Sequence, residues 1–170
     1  MRTCLTLTTS LLLLACSTAD TPPPVEVLHS AADFGTVHDY QLVAPDQAIN
    51  GELPYPAGYP LLAKSLREGF ADRGYQETRE GALQVYYWLA IRETPLDYHV
   101  DMPPPNPLGP YQAIHRFSDE TGTLRLRITD AGGKVLWEGI TRTGLSPAHQ
   151  RNELLKHAVD ALLEELPPAR

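Results

Sequence analysis

The residue types able to do covalent or metal chemistry are few in this chain, and their spacing groups almost none of them. Two cysteines, Cys4 and Cys16, lie in its first sixteen residues, and six histidines, His29, His38, His99, His115, His149 and His157, are scattered over the rest. His149 and His157 stand eight apart, which on a helix is roughly 12 Å of rise, too far to share a metal. The one concentration is Asp97, His99, Asp101 and His115, inside a proline-rich stretch. Converging in a buried, pre-oriented cleft, these four could perform acid-base or metal work; in an open loop they are solvated side chains. The chain has no Gly-x-Ser-x-Gly elbow, no Ser-x-x-Lys and no His-Glu-x-x-His. Gly132-Gly133-Lys134 lacks the upstream glycine and following helix of a phosphate loop, so it reads as a hairpin turn. No catalytic residue, metal ligand or cofactor is assigned on these grounds.

Cys16 has a different chemistry in view. It closes the run Leu13-Leu14-Ala15-Cys16 at the end of an apolar stretch, Leu5 to Leu14, that follows the single basic residue Arg2. About ten apolar residues fit a signal h-region and fall short of the ~20 that a spanning helix needs. The run resembles a bacterial lipobox. That resemblance implies cleavage by signal peptidase II before Cys16 and acylation, as with palmitate, of its sulfur and new amino terminus. Ser17, where an aspartate would imply retention in the inner membrane, implies the outer membrane, facing the periplasm. At about 0.8 kcal/mol per buried methylene, several chains hold a protein far more firmly than one.

Loss of residues 1–15 leaves 155 residues, a length for one domain. Arg2 goes with the leader, so 13 basic residues face 21 acidic ones, a net of −8. Such a chain lacks the basic footprint that nucleic acid requires. With Cys4 discarded and Cys16 acylated, the domain holds no thiol, so neither a disulfide nor a cysteine nucleophile is expected.

The elements that would position any site follow from periodicity. Residues 16–24, ending in Pro22-Pro23-Pro24, read as an extended tether reaching roughly 25 Å. Strands are expected at Val25 to His29 and near Tyr40 to Val43, with a turn or single helical turn around Asp33 to Val37. Six prolines and glycines between Pro45 and Pro60 predict a surface loop. Leu62, Leu66 and Phe70 recur at helical spacing, giving a helix over Leu61 to Arg73 with Pro60 in its first turn and Gly74 at its end. Leu83 to Arg92 alternates, with Leu83, Val85, Tyr87, Leu89 and Ile91 on one face and Gln84, Tyr86, Trp88, Ala90 and Arg92 on the other, which predicts a central strand. Residues 93–121, with Pro95, Pro103, Pro104, Pro105, Pro107 and Pro110, read as a long irregular insertion, with room for a short strand near Tyr111 to Phe117. Gly122 to Asp130 and Val135 to Thr141 form a hairpin about Gly132-Gly133, with Leu124, Leu126 and Ile128 on one face. Ser146 and Pro147 suit a cap and first turn for a final helix of about 20 residues, carrying Leu155, Ala158, Val159, Leu162, Leu163 and Leu166. The fold class is α+β: residues 25–168 form a single domain, a mostly antiparallel sheet of about five strands with two helices on one face.

The aromatic residues divide by face. Trp137 belongs to core packing under a helix. Trp88 and Tyr86 fall on the second face of the central strand. If no helix covers that face, they and Pro103 to Pro110 make an exposed apolar patch that marks a partner or ligand site. Tyr86, Trp88, His99, Tyr111 and His115 are the candidate binding residues.

Several segments together resemble the bacterial lipoprotein family of the DUF4136 domain, a domain of unknown function. They are Asp33-Phe34 with Tyr40, Leu66 to Gly74-Tyr75, Leu83 to Leu89, Gly122-Thr123-Leu124 with Asp130, Leu136-Trp137-Glu138-Gly139, and Ala158-Val159 through Leu166-Pro167. The stretch from Pro95 to Pro110 departs from that pattern. The resemblance implies a small α+β lipoprotein domain with no established activity, so no catalytic residue carries over. The expectation is a non-catalytic envelope lipoprotein, held to the membrane by its lipid, whose domain binds another envelope component, a protein or a lipid. The alternative is an enzyme, hydrolytic or ligand-binding, using the loop from Asp97 to His115.

Overall fold

In a computed structural model the described residues are 21–31, 36–48, 51–102 and 111–169, with side chains left undescribed at 96–102 and 111–118. Six strands form one sheet in the order β1-β6-β5-β4-β2-β3. They are β1 (Val25–Ser30), β2 (Asp39–Leu42), β3 (Gln76–Glu77), β4 (Leu83–Met102), β5 (Tyr111–Asp130) and β6 (Val135–Gly144). Helices α1 (Pro45–Ala48) and α2 (Tyr59–Asp72) lie between β2 and β3, and α3 (Arg151–Glu164) follows β6. The β4-β5-β6-β1 ladders are antiparallel. The edge is parallel: β2 pairs in parallel with both β3 and β4, so the chain crosses over through α2 between them. The sheet has one strand more than expected, the two-residue β3, whose brevity leaves little hydrophobic pattern to read.

Alternation places the core. Leu83, Val85, Tyr87 and Leu89 of β4 are buried, and their partners Ile128, Leu126 and Leu124 on β5 share that face with Trp137 on β6. Against it pack Leu62, Leu66 and Phe70 of α2 and Leu155, Ala158, Val159, Leu162 and Leu163 of α3, all at most 1 % exposed. Their sequence spacing is that of a single helical stripe. Pro60 sits in the first turn of α2, and Gly74 after it takes φ +86°, a left-handed conformation that glycine adopts without strain. At Gly69 the two helices touch, a β-carbon there falling 2.2 Å from Leu163 Cδ1. The hairpin turns as expected, with Gly133 at φ +83° and Asp130 Oδ1 accepting from the amides of Gly132 and Lys134.

Three expectations are corrected. The region from Pro45 to Pro60 is not wholly a loop, since α1 and a 3₁₀ turn at Pro56–Gly58 use prolines at first positions, where the missing N–H costs nothing. Ser146 does not cap the last helix: its hydroxyl accepts from the Glu120 amide, and a 3₁₀ turn at Ala148–Gln150 shortens α3 to 14 residues. The largest correction is the insertion at 93–121. Outside 103–110, which is not among the described residues, it is regular: β4 and β5 continue as a ladder through ten pairs, from Glu93↔Glu120 to Met102↔Tyr111. Past Thr121↔Gly144 the ladder loses β6, so two strands alone extend beyond the sheet, at about 3.4 Å per residue a ribbon of roughly 30 Å. Pro95 is tolerated because each strand of a two-stranded ribbon is an edge, with half its backbone groups facing outward.

Candidate functional site

Both long helices lie on one side of the sheet, so the other side carries a polar and aromatic surface. Its centre is Trp88, which the register sets directly across from Arg125, while Tyr86 faces Arg127 and Arg127 in turn faces Glu138 on β6. The guanidinium carbons of Arg125 and Arg127 stand 5.3 and 5.6 Å from the Trp88 ring centroid. Both arginines then converge on a single oxygen, Glu138 Oε1, which accepts from Arg127 Nε at 3.1 Å and Nη2 at 2.9 Å and also from Arg125. Glu138 is 7 % exposed, whereas the arginine side chains remain about one-third exposed, at 34 and 35 %. A buried carboxylate thus fixes two cations against an indole. Beside it Tyr86 Oη donates to Gln84 Oε1 at 2.6 Å.

Towards the ribbon, Ala90, Arg92, Thr94, Thr121, Thr123 and Arg142 line an open cleft of about 600 Å³. Pairings Arg92↔Thr121 and Thr123↔Arg142 put these two arginines on the Trp88 side as well. Four arginines therefore share one side of a chain whose net charge is −7. This arrangement can hold an anionic or aromatic group by cation-π contact and charge-assisted hydrogen bonds.

Of the expected residues, Trp88 and Tyr86 are together on this face. Trp137 lies on the opposite one, fully buried. His99, Tyr111 and His115 are in the ribbon strands, paired with Ile114, Met102 and Tyr98. The register divides the former cluster: position 115 shares the Trp88 side of the ladder, and positions 97, 99 and 101 share the other. Cys16 and Pro103 to Pro110 lie outside the described residues. Among the described residues no three His, Cys, Asp or Glu are grouped to hold a metal, and no helix is long and apolar enough to cross a membrane. Sequence reading missed Arg125, Arg127, Glu138, Arg92 and Arg142. Their mark was present in the alternation Leu124-Arg125-Leu126-Arg127, which already set two cations opposite the core face.

Comparison with known proteins gives a family and a solved structure. Residues 26–168 match the model of the family described as a domain of unknown function, DUF4136. No curated protein matches the chain. A crystal structure of a minor lipoprotein from Acinetobacter baumannii is similar at a TM-score of 0.37 and 16 % identity, covering 78 % of this chain and 98 % of that one.

Proposed function

The chain belongs to the DUF4136 family, and we propose that it is an envelope lipoprotein whose domain is a non-catalytic binding module, presenting the helix-free side of its sheet to another envelope component. Attachment is supplied by acylated Cys16, and Ser17 sorts the protein to the outer membrane with the domain in the periplasm. The observation that carries the binding role is Trp88 clasped by Arg125 and Arg127. A ring and two cations gathered by a buried carboxylate stand on the sheet face opposite the one on which the core packs, so core packing does not account for them. Such a surface recognises by shape and charge and needs no reacting group.

A photo-crosslinking residue at position 90, beside Trp88 on that side, tests this in cells. Adducts to an envelope component are expected, and Trp88→Ala should abolish them with little change in thermal stability. Equal adducts from position 90 and from exposed Lys64 on α2 would remove the assignment of the face.

A further inference from the structure

The ribbon and the arginine face belong to one surface. Positions 96, 98, 100 and 102 of β4 pair with 117, 115, 113 and 111 of β5, and by alternation all eight share the side of the ladder that bears Trp88. Those positions are Leu96, Tyr98, Val100, Met102, Tyr111, Ala113, His115 and Phe117, without a formal charge among them. The other side of the same ribbon takes Glu93, Asp97, His99, Asp101, Gln112, Arg116 and Ser118 with Pro95 and Ile114. The ribbon is therefore amphipathic over roughly 20 Å, and its apolar side runs at its base through Thr94 and Asp119 into Arg92, Arg142, Arg125 and Arg127. A two-stranded ribbon is marginal in water without something on its apolar side.

The chain's own amino-terminal segment leaves the sheet at the end from which the ribbon projects. Val25 pairs with Thr141, and Thr141 Oγ1 donates to the Pro24 carbonyl at 2.8 Å. Because β1 runs antiparallel to β6, the residues before Val25 head towards Gly144, the end from which the ribbon projects. Thr21 to Pro24 accordingly line a cleft with Arg142, Thr143 and Gly144 at the end of β6 and with Glu153, Leu154 and His157 of α3. Only residues 16–20 separate Thr21 from the lipid on Cys16, a span of at most about 18 Å. A ribbon longer than that span, leaving from the same end, is long enough to reach a bilayer that holds the Cys16 lipid.

We propose that the Trp88 side of the β4-β5 ribbon docks on the bilayer in which the Cys16 lipid is anchored, its apolar positions entering the acyl boundary and Arg92 and Arg142 meeting lipid phosphates at its base. This rests on the lipid-anchored reading above and names the bilayer as the component bound. An arginine row beside an apolar aromatic band is the arrangement an interface between headgroups and acyl chains selects. The overall negative charge is no obstacle, since Glu93, Asp97, Asp101 and Glu120 fall on the far side of the ribbon and Asp119, the one acidic position on the Trp88 side, lies at its base beside Arg92 and Arg142.

The test uses the full lipoprotein reconstituted into phosphatidylethanolamine and phosphatidylglycerol vesicles. The mature chain has no thiol besides Cys16, so Tyr98→Cys, Val100→Cys, Asp97→Cys and His99→Cys each take one environment-sensitive dye. Lipid-borne quenchers should quench positions 98 and 100 several-fold more than 97 and 99. The double variant Arg92→Glu with Arg142→Glu should weaken quenching at position 100 while the protein still floats with the vesicles. Floating protein quenched equally at all four positions overturns the docking and leaves the anchor intact. No quenching, with energy transfer between copies labelled at position 100, overturns it in favour of a second copy of this chain. Alternating quenching with an unmodified Cys16 in the mass spectrum keeps the docking and removes the anchor; protein that does not float removes both.

Discussion

Two tryptophans, identical in chemistry, take opposite fates on two strands of one sheet, β4 and β6. Trp88 stands among arginines on the open side of the sheet, whereas Trp137 is 0 % exposed on the core side, and its ring lies across Gly139. A β-carbon at Gly139 would fall 2.4 Å from Trp137 Cη2, and an indole packed on all sides cannot retreat. Gly139→Ala is therefore expected to destabilise by about 2 kcal/mol, read from a urea midpoint shift at constant slope. Buried phenols give a second expectation at this scale. Burial, then the Glu77 carboxylate, pushes Tyr40 up to about 12, and burial pushes Tyr75 to the same value. Since a phenol in the unfolded chain titrates near 10, the native state favours the neutral form. The resulting stability is whole below about pH 10 and is lost as pH rises towards about 12. Urea unfolding across that window should show the decline, with a shallower slope in Tyr40→Phe.

At the level of elements, α2 and α3 owe their place to the sheet. Leu162 is fully buried where α3 meets the core, and Leu162→Ala should cost roughly 3 kcal/mol, seen in the melting temperature, while crosslinking from position 90 persists in the folded fraction. The two helices, the hairpin and the first half of strand β4 were legible in the sequence because each repeats an apolar residue at its own period over seven or more positions. The ribbon was not. Its prolines were read as breakers across 93–121, but five of the six fall within 103–110, and the flanks Leu96 to Met102 and Tyr111 to Phe117 are rich in strand-forming residues. The sixth, Pro95, survives because its strand has an open edge. Period alone could not reveal this, since strand pairing between residues many positions apart leaves no local mark.

On the scale of the whole molecule, the sheet divides into a core side and an uncovered side. Helices cover one, and the other meets the surroundings. The anchoring account predicts that Cys16→Ala accumulates as uncleaved precursor in immunoblots of fractionated cells; mature-length protein from that variant would refute lipidation. Within the domain, the absence of cysteine leaves stability to burial, and the core strands and helices supply it.

The chain by itself determined the apolar run that precedes Cys16, the absence of cysteine after Cys16, the faces of β4 and the family, since these depend on residue identity and on neighbours a few positions away. Only the tertiary structure decided that Trp88 meets Arg125 and Arg127, that Glu138 gathers both, and that His99 and His115 fall on opposite sides of one ladder. Those facts depend on register between strands, and register is set by the packing of the entire core, which shifts every side chain to the other face if it slips by one residue.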